Sequence, residues 1–361
     1  MNMKYDNNVK LMKGNEALAE AAIRAEIDGY FGYPITPQSE ILEYLSKNFN
    51  EEDGVVLQAE SEIAAINMVY GAAGSGKRVM TSTSSPGMSL MLEGISYITA
   101  AQLPCLLVNV SRGGPGLGTI QPSQADYFQS TKGGGHGDYR LIVLAPNSVQ
   151  EMADFVFDAI YLAEKYRNPA LILSDGTLGQ MMEKVRLPEK GSLPKSIPEW
   201  AAKGKIKNKE RNIIYTSAVD PTVMENLNKE LQNKYALLQQ EVRYELSQIE
   251  DAEILIVAFG LSARICSKAQ EMANDNGLSV GLLRPITLYP FPSDTIYKLA
   301  QKVQAILVVE LSAGQMVEDV KLVVNGSCPV FFHGRMGGEV PTPDEIFFEL
   351  KKITDKQAVK N

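Results

Sequence analysis

The alternation of helical and strand-like apolar patterns constrains the fold most strongly, and it runs from residue 13 to about residue 175. Apolar residues recur at helical spacing over residues 15–28, 39–47, 62–73, 88–101 and 149–165. Short apolar runs of strand length lie between them, at residues 30–33, 55–58, 79–83, 106–110, 141–144 and 170–174. Continuous apolar strands separated by helices are typical of a parallel sheet covered on both faces. This part of the chain is therefore predicted to form an α/β domain.

The alternation stops near residue 186 and resumes near residue 250. Three prolines and a polar, basic stretch without a period predict a linker, and a helix is predicted over residues 221–246. The second unit has predicted strands at residues 254–259, 279–283, 305–309 and 330–332 and predicted helices at residues 262–274, 293–302, 315–324 and 344–352. We therefore predict two α/β domains with mainly parallel sheets, at residues 1–185 and 250–361, joined by a linker at residues 186–249.

The amino-acid composition and net charge limit the classes of binding partner. The formal net charge of -8 argues against nucleic acid, because proteins that bind it carry basic patches. No apolar run has the length of a membrane span, and the N-terminus lacks the apolar core of a signal peptide. We expect a cytoplasmic protein that binds neither nucleic acid nor a membrane.

Cysteine and histidine are too sparse for a metal site. Cys105, Cys266 and Cys328 are far apart and form no CxxC pair, whereas iron–sulfur clusters need clustered thiolates. His136 and His333 are the only histidines, and they lie in different predicted domains. We expect three buried thiols, and no metal or iron–sulfur cluster held by this chain alone.

Three glycine-rich segments resemble ligand-binding loops only weakly. In residues 71–78, Arg78 stands where the phosphate-binding loop needs serine or threonine, and a helix precedes the loop instead of a strand. A helix C-cap and turn explain this segment better. Residues 112–118 lack the spacing of a dinucleotide loop. Residues 131–137 could close over a ligand or could form a surface loop.

Polar side chains follow four predicted strands of the first domain where each strand ends. They lie in residues 34–39, 60–62, 84–87 and 111–114, and they include Thr36, Glu60, Glu62, Ser85 and Arg112. Because ligands bind at the carboxyl ends of parallel strands, hydroxyls, carboxylates and an arginine are expected to meet there. Such a set suits a small anionic substrate.

Each of these segments also has a purely structural explanation. Residues 34–39 and 84–87 could be turns and helix N-caps. Glu62 could be favoured in a first helical turn by the helix dipole alone. Arg112 could pair with a carboxylate at the surface.

The same residues carry a family resemblance. The segments are YPITPQSE (33–40), ESEIAAINMVYGAA (60–73), TSTSSPGMSLMLEGISY (81–97), SRGGPGLGTIQPSQAD (111–126), GGGHGDY (133–139), LRPITLYPFP (283–292) and VVELSAGQM (308–316). Together they resemble the α subunit of 2-oxoacid:ferredoxin oxidoreductases over nearly the whole chain. The resemblance implies a thiamine-diphosphate pyrimidine-binding fold followed by a transketolase C-terminal-like domain.

In this family the cofactor-binding groups are distributed over several subunits, and the resemblance therefore implies the cofactors and partners of this chain. Thiamine diphosphate would be shared with a β subunit that holds the diphosphate, Mg²⁺ and an iron–sulfur cluster. A γ subunit and a small ferredoxin-like subunit would complete the complex, with ferredoxin accepting electrons and coenzyme A accepting the acyl group. The GDG…N motif that binds diphosphate and Mg²⁺ is absent from this chain, and residues 174–176 only partly resemble it.

The resemblance also implies roles for individual residues. Glu62 matches the glutamate that hydrogen-bonds the thiamine pyrimidine ring, and Pro34 and Ser85 lie on the cofactor side. Thr36 matches a threonine near the substrate, and Arg112 matches the arginine that meets the substrate carboxylate. Glu60 lies two residues from Glu62, but the alanine-rich helix after Glu62 fits the family frame better.

The substrate is predicted from one loop. Its form, GPGLGTIQPSQAD, is more similar to the branched-chain subgroup than to the 2-oxoglutarate subgroup. We therefore expect CoA-dependent oxidative decarboxylation of 2-oxoisovalerate. The alternatives are 2-oxoglutarate, a non-redox thiamine-dependent transferase, and a regulatory subunit without activity.

Overall fold

The computed structural model describes residues 3–49, 54–205, 207 and 209–358. The first part of the chain contains β1 (Tyr5–Lys13), α1 (Gly14–Arg24), β2 (Gly29–Gly32), α2 (Ser39–Asn48), β3 (Val55–Gln58), α3 (Glu62–Gly74), β4 (Val79–Thr83), α4 (Ser85–Ala100), β5 (Leu106–Ser111), α5 (Tyr127–Thr131), β6 (Ile142–Leu144), α6 (Val149–Tyr166), β7 (Ala170–Asp175), α7 (Gly176–Gln180) and β8 (Met182–Pro188). Then follow α8 (Pro221–Leu238), a 3₁₀ turn (Gln239–Glu241), β9 (Tyr244–Ser247), β10 (Ile254–Val257), α9 (Gly260–Asp275), β11 (Val280–Pro285), β12 (Thr287–Tyr289), α10 (Ser293–Ala300), β13 (Ala305–Glu310), α11 (Met316–Val324), β14 (Val330–Gly334) and α12 (Pro343–Ala358).

The larger sheet has seven strands in the order β12-β6-β7-β5-β4-β2-β3, and all neighbouring pairs except β12–β6 are parallel. Every residue of β4, β5 and β7 is buried. Alternate residues of β5 point to opposite faces: Leu106 and Val108 pack with α1 and α6, whereas Leu107 packs with α3 and α4. The prediction of a parallel sheet covered on both faces is confirmed.

The second sheet has five strands in the order β14-β13-β10-β11-β9, with β9 antiparallel to β11. Leu255 of β10 and Val308 of β13 belong to the same apolar cluster as Ile66 of α3 and Ile95 of α4. The second α/β unit therefore packs against one helical face of the first sheet, and the two units share a core. The predicted fold class, two α/β units with mainly parallel sheets, is confirmed.

Several elements differ from the sequence prediction. The helix predicted over residues 221–246 ends at Leu238, because residues 244–247 form a strand that pairs with β11. Strand β12 leaves the second unit and pairs with β6 of the first sheet. Strands β1 and β8, which form an antiparallel pair, were not predicted. The boundaries 1–185, 186–249 and 250–361 stay predictions.

Helix α4 begins at Ser85, three residues before the predicted start, and this shift matters for the site. Ser84 has extended backbone angles, and Pro86 occupies the first turn, where a missing N–H costs nothing. Ser85 and Gly87 are therefore in the first turn of a helix rather than in a loop.

None of the helices in the described ranges has both the length and the apolarity needed to cross a bilayer.

Candidate functional site

The four polar segments lie together at the carboxyl edge of the larger sheet. Strands β5, β4, β2 and β3 are consecutive neighbours in this sheet and run parallel. The loop after β2, the start of α3, the start of α4 and the loop after β5 must therefore emerge at the same edge.

Glu62 is the first residue of α3, and it is buried although it is ionisable. The Ser61 hydroxyl caps the helix by accepting a hydrogen bond from the backbone N–H of Ala64 at 3.2 Å. Only 5% of the Glu62 surface is exposed, whereas Glu60 is exposed. None of the ion pairs among the described residues involves Glu62. A buried carboxylate without a cationic partner is costly, so this position calls for a functional explanation.

A glycine makes room for the Glu62 side chain. A Cβ atom placed on Gly87, in the first turn of α4, would lie 2.5 Å from Oε1 of Glu62 and 2.1 Å from Oγ1 of Thr83. Both distances are far below van der Waals contact. The carboxylate can therefore lie over the first turn of α4 only because residue 87 has no side chain.

Arg112 follows β5 and is 7% exposed. Its Nη1 donates to the carbonyl of Thr36 at 2.8 Å, and its Nη2 donates to the carbonyl of Leu117 at 3.0 Å. Its Nε is buried and has no hydrogen-bond partner among the described residues. In the described part of the chain, Arg112 forms no ion pair with a surface carboxylate. The purely structural explanation for this residue, an ion pair at the surface, is therefore not supported. Arg112 instead joins the loop after β2 to the loop after β5.

Buried amide side chains hold the loop after β2. Asn15 donates from Nδ2 to the carbonyl of Pro37 at 2.8 Å, and Gln38 donates from Nε2 to the carbonyl of Tyr33 at 3.1 Å. Pro34 and Thr36 are exposed residues of this loop. The loop backbone is therefore held by hydrogen bonds at a position where Pro34 and Thr36 remain on the surface.

Ser85 joins the start of α4 to the end of β5. Its hydroxyl accepts a hydrogen bond from the backbone N–H of Arg112 at 3.0 Å and donates to Oδ2 of Asp126 at 2.6 Å. The same Oδ2 accepts a hydrogen bond from Nδ2 of Asn109 at 2.8 Å. Sequence reasoning missed Asp126 and Asn109 as site residues, although Asp126 ends the SQAD motif of the resemblance.

A cavity of about 430 Å³ lies beside these residues, between the two α/β units. Ser85, Arg112 and Asp126 line it from the first unit, and residues 311–313, 315 and 336–337 line it from the second. Its volume falls in the range usual for small-molecule sites. Gln124 joins the units next to it, because its Nε2 donates to the carbonyl of Phe259 at 2.7 Å.

A larger cavity of about 500 Å³ lies at the opposite, amino edge of the sheet. The charged groups that line it are already paired: Arg78 with Glu164 at 2.7 Å, and Asp28 with Lys77 at 3.3 Å and Lys195 at 3.2 Å. We do not place the site here. Arg78 is buried in this network, which supports a structural explanation for the glycine-rich segment at residues 71–78.

Comparison with known proteins identifies the family. Residues 20–246 match the sequence profile of the pyruvate flavodoxin/ferredoxin oxidoreductase family, thiamine-diphosphate-binding part, and residues 252–346 match core domain II of pyruvate:ferredoxin oxidoreductase. The chain belongs to the 2-oxoacid:ferredoxin oxidoreductases. The resemblance seen in the sequence motifs is thereby confirmed.

Relatives within the oxidoreductase family are similar along their whole length. The chain is 50% identical to ketoisovalerate oxidoreductase subunit VorB of Methanothermobacter marburgensis, over 95% of this chain and 97% of the relative. It is 37% identical to 2-oxoglutarate synthase subunit KorA of Methanocaldococcus jannaschii, over 94% of this chain and 98% of the relative.

Solved structures show the same fold. The 2-oxoglutarate:ferredoxin oxidoreductase of Magnetococcus marinus, solved with 2-oxoglutarate, coenzyme A and succinyl-CoA bound, matches with a TM-score of 0.84 and 27% identity. The match covers 95% of this chain but 65% of that chain. A split-gene transketolase chain matches with a TM-score of 0.58 at 14% identity, which shows a shared fold only.

The residues of this oxidoreductase chain fit the pyrimidine half of a thiamine site. Glu62 offers a buried carboxylate without a cationic partner, next to a glycine. The partial diphosphate motif does not provide the diphosphate half of the thiamine site. The Asp175 side chain is instead used to cap α7, where it accepts hydrogen bonds from the N–H groups of Thr177 and Leu178. Desolvation by burial raises the pKa of Asp175 to about 6, although these two hydrogen bonds oppose the rise.

Two other expectations concern groups outside this edge. Burial raises the pKa of the Cys105 thiol to about 12, so Cys105 is a poor ligand and nucleophile at neutral pH. The glycine-rich segment at residues 131–137 packs on α4, where the carbonyl of His136 accepts a hydrogen bond from the Ser96 hydroxyl at 2.7 Å. This contact favours the surface-loop explanation of that segment.

Proposed function

We propose that this chain is the α subunit of a 2-oxoisovalerate:ferredoxin oxidoreductase. It would take part in the CoA-dependent oxidative decarboxylation of branched 2-oxoacids to acyl-CoA and CO₂. The observation that carries the proposal is the arrangement at one sheet edge. Arg112 contacts the Thr36 carbonyl and lines the cavity between the two α/β units, and the buried Glu62 begins α3 at the same edge.

Arg112 would bind the substrate carboxylate. A guanidinium has five N–H donors in a planar fork, and two of them are used by the carbonyls of Thr36 and Leu117. The remaining three include the buried Nε–H, which has no partner among the described residues. A carboxylate could accept two parallel hydrogen bonds from Nε and one Nη. The Thr36 hydroxyl would contact the same substrate.

Glu62 would hold a proton at the pyrimidine ring of thiamine diphosphate, and Pro34 and Ser85 would contribute to the same side of the cofactor site. The chemistry that the cofactor supplies when bound is a carbon nucleophile for the 2-oxo group and an electron sink for decarboxylation. The protein's part is to place a carboxyl where water is excluded. Gly87 provides the space for it.

The complex would need further subunits. A β subunit would hold the diphosphate, Mg²⁺ and an iron–sulfur cluster, and a γ subunit and a small ferredoxin-like subunit would complete the assembly. Ferredoxin would accept the electrons and coenzyme A the acyl group. The subunit names of the relatives support a multi-subunit enzyme.

Two observations support a branched monocarboxylate over 2-oxoglutarate. The ketoisovalerate relative is more similar to this chain than the 2-oxoglutarate relatives in the comparison. Among the described residues that line the cavity between the units, Arg112 is the one cation, and Asp126 adds a carboxylate. A second substrate carboxylate would therefore lack a cationic partner there, which is costly.

An anaerobic assay of the co-purified complex tests the substrate. 2-Oxoisovalerate and 2-oxoglutarate are compared with a viologen dye as electron acceptor and coenzyme A as acyl acceptor. We expect the higher kcat/KM with 2-oxoisovalerate. A higher value with 2-oxoglutarate would reassign the substrate, and transfer of the decarboxylated fragment to an aldehyde without dye reduction would indicate a transferase.

A pair of glutamate variants tests the role of Glu62. Glu62→Gln should leave the complex assembled but reduce turnover by at least about 100-fold, the low end for loss of an acid–base group. Glu60→Gln is the matched control, because Glu60 is exposed and should have little effect. Thiazolium C2 proton exchange measured by NMR locates the defect. Slow exchange in the Glu60 variant with normal exchange in the Glu62 variant would assign the role to Glu60.

A further inference from the structure

We propose that Asp126 is a positioning residue for substrate binding, because it holds Arg112 in place through the hydroxyl of Ser85. This inference rests on the proposed role of Arg112 and adds a residue to which no role in that site has been assigned.

The contacts run from Asp126 to the backbone of Arg112. Oδ2 of Asp126 accepts hydrogen bonds from the Ser85 hydroxyl at 2.6 Å and from Nδ2 of Asn109 at 2.8 Å. The Ser85 oxygen in turn accepts the backbone N–H of Arg112 at 3.0 Å. One carboxylate oxygen of Asp126, in the segment before α5, thus contacts both Ser85 of α4 and Asn109 of β5. Through Ser85 it is also linked to the backbone of Arg112, the residue that carries the guanidinium.

A carboxylate determines how the Ser85 hydroxyl is oriented. The hydroxyl has one hydrogen, and two other acceptors compete for it: the carbonyl of Arg112 lies 3.2 Å from Oγ, and Oγ of Ser111 lies 3.5 Å from it. Asp126 is nearer and charged, so it takes the hydrogen and leaves a lone pair of Oγ for the N–H of Arg112. Without Asp126, the hydroxyl would turn toward the carbonyl, and the contact to the N–H would weaken.

A structural role for Asp126 as a helix cap does not fit its geometry. Asp126 occupies the N-cap position of α5, yet its side chain makes no capping hydrogen bond. It points instead to Ser85 and Asn109, and it lines the same cavity as Arg112. Oδ1 of Asn109 has no hydrogen-bond partner among the described residues, and its Nδ2 donates to Asp126.

The experiment uses the co-purified complex and the variants Asp126→Asn and Ser85→Ala. We expect KM for 2-oxoisovalerate to rise about five- to thirty-fold in both, because each loses one charge-assisted hydrogen bond that acts on Arg112. In Asp126→Asn, the affinity for thiamine diphosphate and kcat should each change less than about threefold. Asp251→Asn is the charge-matched control, because Asp251 is exposed in a turn.

A double-mutant cycle with Arg112→Ala separates the possible failures. If Asp126 acts through Arg112, Asp126→Asn should add less than about twofold to KM in the Arg112→Ala background. A full additional effect in that background, or an unchanged KM in the single Asp126 variant, would overturn the inference. An Arg112→Ala variant with unchanged KM would instead refute the proposed role of Arg112, on which the inference rests.

Discussion

Replacing Arg112 with alanine tests the proposed site most directly. The guanidinium uses two N–H groups on the carbonyls of Thr36 and Leu117, which leaves three for a ligand. Hydrogen bonds to charged groups are worth about 1.5–3 kcal/mol, and each 1.36 kcal/mol corresponds to a factor of ten. We therefore expect kcat/KM for 2-oxoisovalerate to fall by about tenfold to somewhat more than a hundredfold.

The same replacement removes the two structural hydrogen bonds, so binding and stability must be measured separately. The Leu117 side chain is 84% exposed, so water can reach this part of the loop and replace the lost donor cheaply. The Thr36 carbonyl was held by a buried guanidinium, and leaving it unpaired should cost about 1–3 kcal/mol unless water replaces the donor. Arg112→Lys keeps the charge but lacks the planar fork, so it should restore little activity.

The assay combines anaerobic kinetics with inhibition by isovalerate, a carboxylate of the same branched shape that cannot be decarboxylated. Loss of the carboxylate contact should weaken isovalerate inhibition about as much as it lowers kcat/KM for the substrate. A lower melting temperature with unchanged kcat/KM and unchanged isovalerate inhibition would refute this reasoning. Arg112 would then only hold the two loops together.

Three further predictions concern the cofactor side, the isolated chain and pH. Gly87→Ala should reduce turnover by at least about tenfold, because the new Cβ would displace Glu62. Gly71→Ala is the control and should keep its turnover, because its Cβ meets no atom within 4 Å. Equal turnover in the two variants would contradict this prediction. Expressed alone, the chain should be colourless, iron-free by metal analysis and inactive, and a brown, active preparation would contradict it. The raised pKa of Asp175, about 6 against 3.8, means that the folded state holds its proton longer, so stability falls as pH rises from about 4 to about 6, by up to about 3 kcal/mol. In urea unfolding, the wild type should lose more stability over this pH range than Asp175→Asn does, because Asp154, whose pKa burial also raises to about 6, contributes equally to both proteins. Equal losses would count against the prediction.

The amino-acid sequence by itself determined the order of most helices and strands and the edge of the sheet where the polar groups meet. Apolar periodicity is local, so it can be read without knowing the contacts, and the rule for parallel strands then places the loops after β2, β3, β4 and β5 at one edge. Thr36, Glu62, Ser85 and Arg112 could therefore be grouped in advance. The residue types alone did not identify the reaction, whereas the family motifs implied one.

Tertiary structure decided the features that depend on residues distant in sequence. Glu62 is buried and Glu60 exposed because α3 packs on α4 at Gly87, which sequence spacing does not reveal. Strands β9 and β12 form because partner strands pair with them, and their short segments carry little local signal. The link from Asp126 through Ser85 to Arg112 spans residues 85–126 and depends on one hydroxyl oriented by a distant carboxylate. Hydrogen-bond geometry of this kind is fixed only when the packed elements bring donor and acceptor within reach.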